Sequence, residues 1–94
     1  MSGDSLAKLS AEHARLRLEF LRTELDLSHA LVSVAQTERN LGHLENANRS
    51  LAHAEEGYQT VVRFLAKPDY LSDEQVVDLR ARLADLRGAL DSLR

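Results

Sequence analysis

The chain of 94 residues has no cysteine, no tryptophan, one proline and four glycines. Without cysteine no disulfide framework can form, and the composition fits a reducing compartment. A sheet protein needs more turn-forming residues than this, so an all-α fold is favoured. Aromatic residues make up only 4% of the chain, and the core must therefore be built from leucine, valine and alanine.

Other absent features narrow the possible functions. No apolar run approaches the roughly 18–20 residues of a transmembrane helix, and the first residues lack the basic and apolar regions of a signal peptide. The net charge is −3, from 12 basic and 15 acidic residues, whereas nucleic-acid-binding proteins usually carry a basic surplus. We therefore expect a cytoplasmic protein that binds neither nucleic acid nor membrane.

What the sequence does contain is hydrophobic periodicity, divided by two breaks. The first is Asn40-Leu41-Gly42, where asparagine and glycine favour the left-handed conformation that ends a helix. The second is Lys67-Pro68-Asp69, because proline cannot continue a helix interior. The shortness of the first break makes the helices on either side antiparallel neighbours. The predicted fold is an all-α, antiparallel up-down-up three-helix bundle, with helices at about 11–40, 43–66 and 73–93.

Residues 10–94 are expected to form a single domain, since a chain of this length can bury one core. Ser10 is a suitable N-cap for the first helix, so residues 1–9 are expected to be a flexible N-terminus. A start at Ser5 is the alternative, and it would add one turn that contains Leu6 and Leu9.

The most regular pattern lies in the second predicted helix. Its apolar residues recur with alternating spacings of three and four, which places them on one narrow stripe. We interpret this stripe as a packing seam that the other two helices cover. It consists of Leu44, Ala47, Leu51, Ala54, Tyr58, Val61 and Leu65.

The third predicted helix has the clearest start. Ser72 and Gln75 have the spacing of a capping box, and Asp73 and Glu74 suit the positive end of the helix dipole. Leucines at heptad spacing follow and face the seam.

The first predicted helix has the widest apolar surface. Its apolar residues cover an arc of roughly 200° at 100° per residue, wider than a one-sided stripe. A helix of this kind contacts more than one neighbour. It also extends beyond the other two at its N-terminal end, because it is the longest of the three.

Residues 31–54 resemble a single tetratricopeptide-type helix pair. Leu31, Val34 and Ala35 occupy the packing positions of the first helix in that family. The turn and the second helix match at Gly42, Leu44, Ala47, Leu51 and Ala54. Glu38 departs from the pattern, since a large aromatic residue is common there, and the family's closing proline is missing. The resemblance implies protein–protein interaction without catalysis, although one repeat cannot form a solenoid groove.

No residue pattern predicts catalysis or cofactor binding. The four histidines have no set of partners at metal-ligand spacing. Asp26 and His29 are three residues apart, as in di-iron bundles, but they lie on the polar arc of the first helix. We expect no catalytic residue, no cofactor site and no metal site. A metal-binding or enzymatic bundle that uses histidine and carboxylate groups between subunits remains the alternative.

A second alternative is nucleic-acid contact through one face of the third helix. Arg80, Arg87 and Arg94 recur there at seven-residue spacing. Interleaved Asp78 and Asp85 favour a mixed solvated face instead.

The favoured function is protein–protein contact, with a protein partner or with further copies of the chain in a homo-oligomer. Two glycines inside predicted helices, Gly57 and Gly88, indicate either close helix packing within the chain or a groove for another helix. Phe20 and Phe64 lie off the central stripes. They either close one end of the bundle, together with Tyr70 from the loop at the second break, or form an exposed patch. The candidate contact residues are Leu9, Leu16, Phe20, Leu27, Gly57 and Phe64.

Overall fold

The computed structural model describes residues 3–93, and side chains from residue 5 onward. The described chain consists of three α-helices: α1 (Gly3–Asn40), α2 (Leu44–Ala66) and α3 (Asp73–Ser92). α1 packs against both α2 and α3, and more extensively against α2. The all-α three-helix bundle and the bounds predicted for the second and third helices are therefore confirmed.

The start of α1 differs from the prediction. The helix begins at Gly3, eight residues before the predicted first residue Ala11, and Ser10 lies inside it without acting as an N-cap. The residues between include Leu6, Ala7 and Lys8, which are good helix formers, so the helix continues through Ser10. Residues 1 and 2 of the predicted N-terminal segment lie outside the described residues.

A helix ends at each of the two predicted breaks. Gly42 has a φ of +80°, the left-handed conformation that glycine adopts without steric cost. The His43 ring lies 2.8 Å from a Glu38 carboxylate oxygen across this turn. At the start of α3, the Gln75 backbone N–H donates to the Ser72 hydroxyl, and the Ser72 backbone N–H donates to the Gln75 side chain. The predicted capping box is confirmed.

The seam of α2 is buried unevenly. Ala47, Ala54 and Val61 are buried along its length. The other seam residues form a second row, which begins with Leu44, 60% exposed, and ends with the buried Leu65. A repeat of 3.5 residues drifts around a helix of 3.6 residues per turn, so this row starts beside the contact face and reaches it only later. The prediction that Leu44 belongs to the seam is wrong for this reason.

The core lies where the three helices face one another. α1 contributes Leu21, Leu25 and Val32, and α3 contributes Leu79, Leu86 and Leu90 to the same cluster. The molecule measures 60 × 21 × 15 Å. At 1.5 Å per residue the 38 residues of α1 span about 57 Å, whereas α2 and α3 span about 35 and 30 Å. The N-terminal turns of α1 therefore extend past the other two helices.

Candidate functional site: the exposed face of α1

A second row of side chains runs along α1 on a face that the bundle leaves uncovered. Its members alternate at spacings of three and four, the heptad rhythm of a helix–helix seam. We call this row the α1 strip. It consists of Leu6, Leu9, His13, Leu16, Phe20, Thr23, Leu27, Ala30, Val34 and Thr37. Every member is exposed, and the six large apolar ones are between 42% and 55% exposed.

The α1 strip is exposed because the core uses a different face of the same helix. Leu21, Leu25, Ser28 and Val32 are buried against the rest of the bundle. At 100° per residue these positions lie about 140° around the helix from the strip. α2 and α3 both pack on the side of α1 that carries these buried residues, so the other apolar face remains in solvent.

Aromatic side chains flank the α1 strip where α1 passes the end of α2. The rings of Phe20 and Phe64 are 5.3 Å apart at an angle of 57°. The Arg17 guanidinium lies 5.0 Å from the Phe64 ring centre and 5.9 Å from that of Tyr70. His13 and Tyr70 meet edge to face at 6.0 Å. Together with Leu16 these residues line a depression of about 430 Å³, which we call the aromatic depression.

The backbone of Tyr70 adopts an unusual conformation to reach this place. Its φ is +69°, the left-handed region that a bulky side chain rarely enters. Such a conformation costs on the order of 1 kcal/mol or more and persists only when its surroundings hold it. The turn after Pro68, closed by the Leu71 N–H donating to the Pro68 carbonyl at 3.3 Å, directs the ring towards α1.

The structure places the six candidate contact residues in three locations: on the α1 strip, at one end of the bundle and, for Gly57, in the interior. Leu9, Leu16, Phe20 and Leu27 lie on the α1 strip. Phe64 is half-buried, packs against the core cluster and lines the aromatic depression. The sequence left open whether Phe20 and Phe64 close one end of the bundle or form an exposed patch. In the structure they do both.

The prediction that Gly57 contacts a partner is corrected by the structure. It is buried in α2, and a Cβ built on it would overlap the Ser28 hydroxyl and lie 3.4 Å from Ser28 Cβ. The glycine lets α1 and α2 approach closely inside the chain, so it offers no surface to a partner. Gly88 is the opposite case, because it is exposed and a Cβ there meets no atom within 4 Å. Of the two interpretations that the sequence leaves open for Gly88, close packing within the chain is therefore wrong.

Sequence reasoning missed His13 and Arg17 as neighbours of the candidate residues. His13 and Arg17 carried a usable signal, since His13 lies three residues before Leu16 and Arg17 lies three residues before Phe20 on the same helix. Tyr70 was expected at this end of the bundle, but its contacts with His13 and Arg17 depend on the left-handed turn that follows Pro68.

The arginines predicted to share one face of α3 have different surroundings. Arg80 is exposed, but Arg87 is turned towards α2, where it donates two hydrogen bonds of 2.9 and 3.0 Å to the Glu55 carboxylate. It also pairs with Asp91 at 3.0 Å. The hydrogen bonds to Glu55 raise the pKa of Arg87 above its ordinary value, so the guanidinium stays charged. Arg94 lies outside the described residues.

In the histidine and carboxylate pairs, Asp26, His53 and Glu56 are exposed and His29 is half-buried. Asp26 lies 3.8 Å from Arg82, and His53 lies 3.7 Å from Glu56. Over residues 3–93 the structure contains no group of three or more histidines and carboxylates arranged to hold a metal ion. Within the same residues, no helix combines the length and the apolar character needed to cross a membrane.

In comparisons with known proteins, no family model, no curated protein and no solved structure matches this chain.

Proposed function

We propose that this protein acts by protein–protein contact without catalysis, that it associates with a second copy of itself, and that the α1 strip is the contact surface. The observation that carries the proposal is the row of six half-exposed large apolar side chains on one helix face. Single exposed apolar residues are ordinary on a protein surface, but a contiguous row is typical of an interaction site.

The size of the α1 strip supports a specific contact. From Leu6 to Thr37 it extends about 45 Å along the helix, and a helix face is about 10 Å wide. The strip drifts by about 20° per heptad around α1, so a partner helix must wind around α1 to cover all of it. Two such faces in contact bury roughly 1000 Å² in total, the lower limit for specific protein interfaces. The heptad spacing supports a helix as the partner, because side chains at this rhythm interlock with a second helix of the same kind.

The remaining features fit this proposal. A cysteine-free chain suits the cytoplasm, where thiols stay reduced, and we propose that location. The tetratricopeptide-like spacing of residues 31–54 also favours a role in protein contact. Ala35, Ala47 and Ala54 are buried in that hairpin.

The first test replaces Leu27 by lysine. Leu27 is 54% exposed in the single chain, so the change leaves the fold intact. In a dimer it would bury a charge among apolar side chains, which is strongly unfavourable. Size-exclusion chromatography with light scattering at tens of micromolar is expected to show a dimer for the natural chain and a monomer for Leu27→Lys.

Val77→Lys is the matched control. Val77 lies on α3, outside the α1 strip, and is 68% exposed. This variant is expected to keep the mass of the natural protein. Equal masses for Leu27→Lys and Val77→Lys would place the contact elsewhere and contradict the proposal.

A further inference from the structure

The residues of the α1 strip alternate in size in a way that has an orientation. From its N-terminal end the strip carries large side chains at Leu6, Leu9, His13, Leu16 and Phe20. Its second half alternates small and large side chains. In order these are Thr23, Leu27, Ala30, Val34 and Thr37. The two halves of the strip are therefore different surfaces, and they can complement each other.

They do so when one copy is reversed. In an antiparallel pair of helices, residues of the first heptad row lie beside those of the second row on the partner. With Phe20 placed level with Thr23 of the partner subunit, the other levels follow from the spacing. The four remaining pairs are Leu16 with Leu27, His13 with Ala30, Leu9 with Val34 and Leu6 with Thr37.

This alignment matches volumes along the whole α1 strip. Three of its levels place a large side chain against a small one, and the other two place leucine against leucine or valine. A parallel pair would place each residue against itself. Phe20 would then meet Phe20, while Ala30 would meet Ala30 and leave a gap, and close-packed interfaces tolerate neither.

The aromatic depression fits the same alignment. In helix pairs of this kind each side chain enters a hole formed by four residues of the facing helix. Four residues that line the depression, His13, Leu16, Arg17 and Phe20, have the spacing of such a hole. The hole is centred at the level of Leu16, and the reversed copy places its Leu27 there.

The shape of the molecule gives a third reason. The N-terminal turns of α1 extend beyond α2 and α3, so Leu6 and Leu9 have little of their own chain beside them. In the reversed arrangement these turns lie against residues 34–37 of the partner, where its α1 is supported by its α2. A parallel arrangement would leave the two extensions in contact only with each other.

We propose, on the basis of the proposed self-association, that the partner is a second copy arranged antiparallel along α1, with Leu27 of each subunit seated in the aromatic depression of the other. The arrangement is a closed two-fold dimer, because each copy donates and receives the same contact. It needs no additional protein.

The absence of cysteine makes the arrangement directly testable, since a single introduced cysteine is the only thiol in the chain. Leu9→Cys and Val34→Cys are prepared separately and mixed under mild oxidation. A disulfide requires Cα atoms within about 7 Å. The antiparallel arrangement places Leu9 level with Val34 of the partner subunit, and it separates the two copies of Leu9 by about 37 Å along the helix.

The expected product is a mixed disulfide between Leu9→Cys and Val34→Cys, with neither variant linking to itself. Val77→Cys serves as the control that forms no link. If light scattering shows a dimer while Leu9→Cys links to itself, the helices are parallel and the inference is wrong. A dimer in which no pair links excludes the α1 contact, and a monomeric natural chain contradicts the proposed function itself.

Discussion

Among single residues, Gly57 and Gly88 show that two glycines in similar sequence surroundings can have different structural roles. Both lie inside helices, where glycine costs about 1 kcal/mol relative to alanine. At Gly57 this cost is accepted because the buried Ser28 hydroxyl occupies the space that a Cβ would need. At Gly88 the surrounding space is open. Only the position of the neighbouring helix distinguishes the two cases, so the sequence left both interpretations open.

Gly57→Ala is expected to lower the free energy of unfolding by about 1–2 kcal/mol, because the added methyl group overpacks the contact between α1 and α2. Gly88→Ala is expected to raise it by about 0.5–1 kcal/mol through helix propensity alone. Urea denaturation monitored by circular dichroism measures both. Adding Ser28→Ala to Gly57→Ala should recover part of the loss, and an equal gain in stability at both glycines would refute the packing argument.

Arg87 joins two helices through several contacts at once. It pairs with Glu55 on α2 and with Asp91 on α3, and its guanidinium lies 4.7 Å from the ring centre of Tyr58. The group is about one quarter exposed, so the ion pair with Glu55 is partly shielded from solvent. Bidentate geometry of this kind contributes more than an ordinary surface ion pair.

Arg87→Ala is expected to destabilise the fold by about 1–2 kcal/mol, since it removes a two-bond ion pair and a cation–π contact. Arg80→Ala, at an exposed position on the same helix, is expected to change stability by no more than about 0.5 kcal/mol. Thermal unfolding of both variants at low and high salt separates the contributions. A difference between them that disappeared at low salt would contradict the assignment.

At the scale of helices, the two predicted N-caps had different outcomes. Ser72 caps α3 through a reciprocal pair of hydrogen bonds, whereas Ser10 is an interior residue of α1. The difference lies in what precedes each serine. Pro68 ends the preceding helix only four residues before Ser72, but the residues before Ser10 favour a helix themselves.

Ser72→Ala is therefore expected to cost about 1 kcal/mol of stability, because it leaves a backbone N–H at the start of α3 without its acceptor. Ser10→Ala should be neutral or slightly stabilising, since alanine is the better residue inside a helix. Differential scanning calorimetry of the two variants gives the comparison. A loss at Ser10 equal to that at Ser72 would mean that Ser10 does cap a helix.

At the scale of the molecule, the sequence predicts the bundle well and the surface less well. The breaks at Gly42 and Pro68 and the seam of α2 depend on local geometry and periodicity, and both can be seen without coordinates. The wide apolar arc of α1 was also visible. How that arc divides between core and solvent depends on where α2 and α3 lie, which residue spacing within α1 does not specify.

The same limit applies to the candidate site. Leu9, Leu16, Phe20 and Leu27 were identified because they are apolar residues outside the central seam. Tyr70 was expected at the same end of the bundle as Phe20, but its contacts with His13 and Arg17 were not, because they depend on a left-handed backbone after Pro68. Gly57 was assigned to a partner surface because the sequence cannot distinguish packing within a chain from packing between chains.

In the proposed dimer, a second copy of the chain covers the α1 strip. The most direct test is the molar mass of the natural protein, measured by light scattering over a dilution series from tens of micromolar downward. We expect a mass near twice 10.5 kDa at the upper concentrations, falling towards the single-chain value on dilution. A mass of 10.5 kDa at every concentration would contradict the proposal.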